Sequence, residues 1–335
     1  MNATVNPNTI HNPYIYLDWN IFKYMKENRT QYAELDRDCF QMIKKLKSKY
    51  RFPISQAHIR DRMSRFSEDY IDEVKEDFDF VNSVSEGFFV TNIPDMNNEL
   101  GLVSIDIRNC YLDYLEETDI TQDESVFDSF ISNRMINIDD MDTSHPMYDY
   151  IKENNGELRN MNAFLEKMYN DVFDETSVYS SLREYIRKFD VKGTKYHVSS
   201  LREMCELDKL MYHMAPFLLS YGFDSLEKLK ENWREIAKRF FSYNELTAPS
   251  ELLLRQGYVL LDMHPLFKKE KLKKKKNTLD NIIRDGNHCY YSSKAKYFVS
   301  EDEGVRKKVS FLYEVYGIKT NVKSEQEFMN TVTII

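Results

Sequence analysis

A chain of 335 residues with 55 acidic and 46 basic side chains, net charge −9, is longer than one typical domain and is ill suited to coating nucleic acid through charge alone. Nine glycines and eight prolines beside 42% hydrophobic and 30% charged residues exclude an all-β architecture and favour long helices. The four cysteines, Cys39, Cys110, Cys205 and Cys289, show no Cys-x-x-Cys spacing, which excludes a zinc ribbon or disulfide framework; with a polar start and no apolar run of spanning length, a cytoplasmic protein without membrane contact is expected.

In chain order, Tyr14-Ile-Tyr-Leu17 reads as an apolar strand that stops at Asp18, and Trp19-Asn20-Ile21-Phe22 opens a helix. Tyr32 to Tyr50 has helical spacing, with Leu35, Cys39, Met42, Ile43 and Leu46 on one face, and leads into Phe52-Pro-Ile54. Ser55 caps the next helix and places His58 and Asp61 at i and i+3; the same helix is expected to continue through Met63, Phe66, Tyr70, Val74 and Phe78 towards Gly87. Phe88-Phe-Val90 reads as another strand. From Pro94 to Pro265 the pattern changes to helices separated by acidic loops, Glu116 to Asp128 and Asn137 to Asp142. Leu201 to Leu219 and Leu226 to Phe241 carry helical spacing, with Met204, Leu207, Leu210, Met211 and Met214 as core. Lys268 to Lys276 is strongly basic and precedes a helix bearing Asp285 and His288. Ala295 to Ser300 is a short buried strand centred on Tyr297 to Val299, with Glu301 and Asp302 at its carboxyl end. Val305 to Tyr316 is a helix ended by Gly317, Ile318-Lys-Thr320 a strand, and Ser324-Glu-Gln-Glu327 the capping box of a last helix.

Two strands thus end on acids, and two helices carry further acids. A strand, then Asp18, then a helix; a Ser-led helix, Ser55-Gln-Ala-His-Ile-Arg-Asp61; a helix with Asp285; and a strand followed by Ser300-Glu-Asp302 together resemble the PIN-like metal-dependent ribonucleases. That family usually has glutamate where this chain has Asp61. The resemblance implies an α/β fold, a PIN-like Rossmann-type parallel sheet interrupted by a large, mainly α-helical insertion. It divides the chain into a discontinuous nuclease domain, residues 1–93 and 277–335, and a helical insertion of unknown role at 94–276. It implies hydrolysis of phosphodiester bonds with Mg²⁺ or Mn²⁺, in single-stranded RNA ahead of DNA, and a similarity to bacterial toxin or defence effectors. The insertion is then where a homo-oligomer or regulatory protein contact is expected.

The chemistry accounts for the residue types. Hard cations take oxygen ligands, and a bound ion acidifies its water and offsets charge developing on the phosphate. Asp18, Asp61, Asp285 and Asp302 are the candidate catalytic and metal-binding residues; His58, His288, Ser300 and Lys273, Lys274, Lys275 and Lys276 are the candidate substrate contacts. Each has a plainer alternative. Asp18 and Asp302 equally fit helix caps, Glu301 competes with Asp302 as ligand, Asp61 fits an exposed helical acid, the histidines fit structural roles, and the lysines fit a solvated linker. Serine-triad, phosphate-loop and zinc-protease motifs are absent from the sequence. The alternatives to a nuclease are a noncatalytic PIN-like module that binds nucleic acid or protein, and a metal-dependent phosphatase acting on small molecules.

Overall fold

The computed structural model describes residues 13–64, 66–93, 99–110, 112, 138–140, 143, 148–153, 155, 216–217, 219–220, 222–241, 250–267 and 279–332. Its elements in chain order are β1 (Ile15–Leu17), α1 (Trp19–Glu27), α2 (Ala33–Leu46), α3 (Gln56–Met63), α4 (Ile71–Ser85), β2 (Phe88–Ile93), β3 (Glu99–Ser104), α5 (Tyr148–Glu153), α6 (Leu226–Phe241), α7 (Ser250–Asp262), α8 (Leu279–Tyr291), β4 (Tyr297–Val299), α9 (Glu303–Tyr316), β5 (Asn321–Lys323) and α10 (Glu325–Val332). They fall into two compact units, one drawn from Met1–Thr121 with Ile283–Ile335 and the other from Gln122–Ile282, so β3 belongs with β2 in the first. In the second unit, α6 buries Leu229, Trp233, Ile236, Ala237 and Phe241 along one stripe. The methionine-rich stretch Met204 to Met214, the acidic loop Glu116 to Asp128 and the lysine run Lys268 to Lys276 lie outside the described residues.

The fold is mixed α/β. A parallel three-stranded sheet runs β1-β4-β5, with Ile15 opposite Tyr297 and Tyr297 opposite Asn321. On the other side of β1, the extended segment 51–54 bridges to Tyr14 through Arg51 and to Phe89 through Ile54, both in parallel sense. Backbone bonds from Ile15 N to Arg51 O (2.9 Å) and Val90 N to Ile54 O (2.7 Å) secure it. Pro53 lacks the N–H a regular ladder needs, which accounts for bridges here in place of a full strand. The spatial order is therefore β3, β2, 51–54, β1, β4, β5, with β3 antiparallel to β2 at the edge.

Strand alternation separates two layers. Ile15, Leu17, Tyr297 and Val299 join the core built from α1, α2, α3, α4 and α10, including Phe22, Ile43, Phe78 and Phe328. Tyr16 and Phe298 point to the opposite face, where Tyr16 meets His288 of α8. Because β1 is buried on both faces, its three residues are uniformly apolar or aromatic.

Three expectations differ. The stretch from Pro94, which reads as helices and acidic loops, contains strand β3, Glu99–Ser104, paired antiparallel with β2. The long helix after Ser55 is broken into α3 and α4 by a 3₁₀ turn at Glu68–Tyr70. At the break, the Ser64 hydroxyl donates to Asp61 O (2.8 Å), the kind of local side-chain bond that competes with helix continuation. The last strand is Asn321–Lys323, three residues later than Ile318 to Thr320, because Ile318 closes the αL turn of Gly317 by donating to Tyr313 O (2.8 Å). Thr320 is held by its Oγ1 on the carbonyls of Ala295 (2.7 Å) and Ser293 (2.9 Å). The capping box of α10 forms as expected, Ser324 N to Glu327 Oε2 at 2.8 Å and Glu327 N to Ser324 Oγ at 3.2 Å.

A second polar node ties this unit together. Arg29, in the α1–α2 corner, donates from Nε to Asp36 Oδ1 (3.0 Å) and from Nη2 to Glu325 at the start of α10, with Glu301 at 3.9 Å. Asp36 and Glu325 are both fully buried. Burial pushes the Glu325 carboxyl up to about 7, against the pull of Arg29 and with reinforcement from Asp36. In an unfolded chain a glutamate releases its proton near pH ~4.3, so between there and about 7 the folded state holds a proton the unfolded state has lost. Stability from this group is therefore full at acid pH and falls as pH rises through that window. Glu325→Gln is expected to remove the slope and to be more stable than wild type at pH 8 by on the order of 1–2 kcal/mol, with no gain at pH 4. Urea unfolding at both pH values checks this; a gain of equal size at both would assign the effect to something other than ionisation.

Candidate metal centre

The chain visits one side of β1 first, through 51–54 and β2, and returns to the other side with β4 and β5, so the strand order reverses between β1 and β4. At such a reversal the connections leave in opposite directions and open a crevice at the carboxyl ends of the strands. Asp18 follows β1 there and Ser300 follows β4, held in step by Asp18 N to Val299 O (2.9 Å). Ser300 Oγ donates to Asp18 Oδ2 (2.7 Å). Asp18 precedes α1 but makes no side-chain capping bond to it, so the plain-cap alternative does not hold for this residue.

Asp61 arrives on α3, whose start is fixed by reciprocal bonds: Ser55 Oγ accepts from Ala57 N (3.2 Å), and His58 Nδ1 accepts from Ser55 N (3.0 Å). His288 arrives on α8. One ligand atom each from Asp18, Asp61 and His288 lies within 4.8 Å of the others, the group of this kind found among the described residues. His288 Nε2 donates to Asp61 Oδ2 (2.7 Å), and Arg284, one turn earlier on α8, donates from Nε to Asp61 Oδ1 (3.0 Å). Asp18 and His288 are buried, whereas the Asp61 side chain is 20% exposed and opens the group to solvent.

The electrostatics follow from this packing. Burial raises the Asp18 carboxyl above the usual range, opposed by His288 and the Ser300 bond. Burial also works against the Asp61 charge, but the His288 charge and hydrogen bond, with Arg284, outweigh it and hold that carboxyl below the usual range. His288 is the mirror case: burial disfavours its charge, yet Asp61, Asp18 and Asp285 together raise it. Asp285 is pushed up to about 8 by burial, with Lys308 opposing and Asp61 and Asp18 reinforcing. His58 is held neutral, its pKa lowered to about 3 by burial and by the neighbouring His288.

The candidates from the sequence separate accordingly. Asp18 and Asp61 come together, and His288 joins them as a potential ligand instead of a substrate contact. Asp285 sits one turn before His288, close enough to perturb the group, but is not one of its three members. Asp302 caps α9, accepting from Val305 N (2.9 Å), and its competitor Glu301 accepts Glu325 N (2.7 Å) at the start of α10. His58 and Ser300 are fully buried, with His58 Nε2 on Leu17 O (2.7 Å) and Ser300 on Asp18, so both brace the site. Lys273 to Lys276 lie outside the described residues.

Sequence reasoning missed Tyr16, Arg284 and Lys308. Tyr16 looks like ordinary strand filler, yet its hydroxyl lies 2.6 Å from Ser55 Oγ and 2.8 Å from His288 Nδ1. The available signal was strand parity, since Tyr16 faces away from Ile15 and Leu17 and carries the one polar atom in β1's side chains. No family model matches this chain, and no curated protein or solved structure matches it.

Proposed function

We propose that this protein is a metal-dependent nuclease that hydrolyses phosphodiester bonds in single-stranded RNA, built on a PIN-like sheet. The convergence of Asp18, Asp61 and His288 at the carboxyl ends of β1 and β4 carries this reading. The parallel order β2, 51–54, β1, β4, β5 supports the PIN-like part of it. Two carboxylates and an imidazole form a donor set that fits a divalent ion, which when bound would polarise a phosphoryl oxygen and acidify a water. The chain's own residues do the rest. Ser300 orients Asp18, Arg284 and His288 orient Asp61, and the exposed edge of Asp61 marks the side from which a phosphate approaches. The Gln122–Ile282 unit is assigned to trigger sensing or assembly, as in a toxin or defence effector.

A second reading has one observation in its favour. The Arg284 bond to Asp61 is the kind of pairing expected of a noncatalytic module that keeps the fold and binds nucleic acid or protein. Incubating the purified protein with labelled single-stranded RNA and DNA, with Mn²⁺, with Mg²⁺ or with EDTA, separates the two. The nuclease reading expects RNA cleavage that EDTA abolishes. Binding without cleavage in either ion supports the module.

A further inference from the structure

The imidazole in the trio is held by a buried relay whose order has a chemical consequence. His58 Nε2 donates to Leu17 O (2.7 Å) and its Nδ1 accepts from Ser55 N (3.0 Å), which fixes His58 as an acceptor at Nδ1. Ser55 Oγ lies 3.2 Å from that same Nδ1, Tyr16 Oη lies 2.6 Å from Ser55 Oγ, and His288 Nδ1 lies 2.8 Å from Tyr16 Oη. Two complete orders satisfy these contacts: Ser55 O–H to Tyr16 and Tyr16 O–H to His288 Nδ1, which keeps the His288 proton on Nε2 for Asp61, or His288 Nδ1–H to Tyr16, Tyr16 O–H to Ser55 and Ser55 O–H to His58 Nδ1, which frees Nε2. In the second order a neutral His288 carries its proton on Nδ1, which leaves the Nε2 lone pair for an ion held between it and the two carboxylates.

We propose that His288 ligates a divalent ion through Nε2 together with Asp18 and Asp61, that Tyr16 is the positioning residue that presents this lone pair, and that the site in consequence takes a nitrogen-accepting transition ion, Mn²⁺, ahead of Mg²⁺. The inference rests on the metal-centre part of the proposed function but not on its substrate. Its physical basis is the donor set. Mg²⁺ demands near-ideal octahedral oxygen ligation and keeps its waters, whereas imidazole suits first-row transition ions. The partner on the second ring nitrogen of a ligating histidine sets tautomer and ring orientation, and its loss typically lowers metal affinity about 10–100-fold. Without a metal the same Nε2 donates to Asp61, as in the first order; on ion binding the neutral ring exchanges its Nε2 proton for one on Nδ1, with no net proton gained or lost, and the Tyr16 and Ser55 hydroxyls turn to the second order.

The test uses the full chain stripped of metal with EDTA and titrated calorimetrically with MnCl₂ and, separately, MgCl₂. Wild type is expected to bind Mn²⁺ at least about tenfold more tightly than Mg²⁺. Tyr16→Phe is expected to lose about 10–100-fold of the Mn²⁺ affinity with little change for Mg²⁺, narrowing the ratio. His288→Gln is expected to abolish the preference. Should either variant fail to fold, pulsed electron paramagnetic resonance on wild type loaded with one equivalent of Mn²⁺ decides alone: a directly bound imidazole gives a ¹⁴N coupling, which ¹⁵N-histidine labelling replaces. Absence of that coupling, equal Mn²⁺ and Mg²⁺ affinities, or no Mn²⁺ binding at all would overturn the proposal. Mn²⁺ binding with the nitrogen signal but no RNA cleavage sinks the nuclease reading and leaves this one standing. Cleavage with Mg²⁺ and no nitrogen signal does the reverse.

Discussion

Asp18→Asn is expected to reduce ion-dependent RNA cleavage by about 100-fold or more while the protein stays folded. The asparagine keeps the shape and an oxygen that can accept the Ser300 hydroxyl, so the bond between the ends of β1 and β4 survives. It removes the charge that helps attract a cation. Stability is expected to stay within about 1 kcal/mol of wild type, because one buried carboxylate no longer needs to be desolvated while His288 loses a neighbouring anion. The matched control is Asp302→Ala. There the carboxyl serves the N–H of Val305, so the change should lower stability by about 1 kcal/mol, typical of a lost cap, and leave cleavage of the folded fraction near wild type. Thermal melts and cleavage rates measured on the same preparations distinguish these cases. An Asp18→Asn protein with full activity would remove Asp18 from the site, and an inactive, fully stable Asp302→Ala would restore Asp302 to it.

The contrast between these two aspartates shows where the sequence is legible. Both follow an apolar strand and precede a helix, and composition or periodicity cannot tell a cap from a candidate ligand. The distinction is tertiary: Asp18 is drawn sideways by Ser300 from a strand 282 positions away in sequence, whereas the Asp302 carboxyl turns back on its own helix. Local signals worked where the physics is local. The capping box at Ser324, the αL stop at Gly317 and the apolar strands on either side of the site needed no distant partner. The bridging role of the extended segment 51–54 was hidden because Pro53 interrupts its ladder, and the tyrosine relay because no short-range rule links Tyr16 to a histidine on α8. His288 itself was visible as a candidate, but only its contact with Asp61 moves it from substrate contact to potential ligand.

The largest stability loss is expected outside the metal centre, at Arg29. This guanidinium faces two fully buried carboxylates, Asp36 and Glu325, with Glu301 beyond them, and lies over the rings of Tyr24 (4.0 Å) and Tyr32 (4.8 Å). The arrangement closes the α1–α2 corner against the first turn of α10. Removing one member of a buried ion cluster is far more harmful than never having built it, since the partners keep their desolvation and lose their counter-charge. Arg29→Met retains an apolar chain against the two tyrosines and isolates the charge effect. Its expected loss is about 3–5 kcal/mol at pH 7.5, against a typical total of roughly 5–15 kcal/mol for a domain. An exposed pair such as Lys23–Glu27, with side chains 48% and 59% exposed, offers no comparable effect. Arg29→Lys should fall between, because a point charge cannot reproduce the fork that reaches both Asp36 and Glu325. Acid should soften the loss: removing Arg29 takes away the pull that lowers the Glu325 carboxyl, so the Met variant keeps that proton to higher pH than wild type, and its deficit is smaller at pH 5, where both hold the proton, than at pH 7.5. Urea unfolding of wild type and both variants at pH 5 and pH 7.5 measures all of this. A loss under about 1 kcal/mol for Arg29→Met at pH 7.5, the value of a surface pair, would show that the cluster does not hold α10 in place.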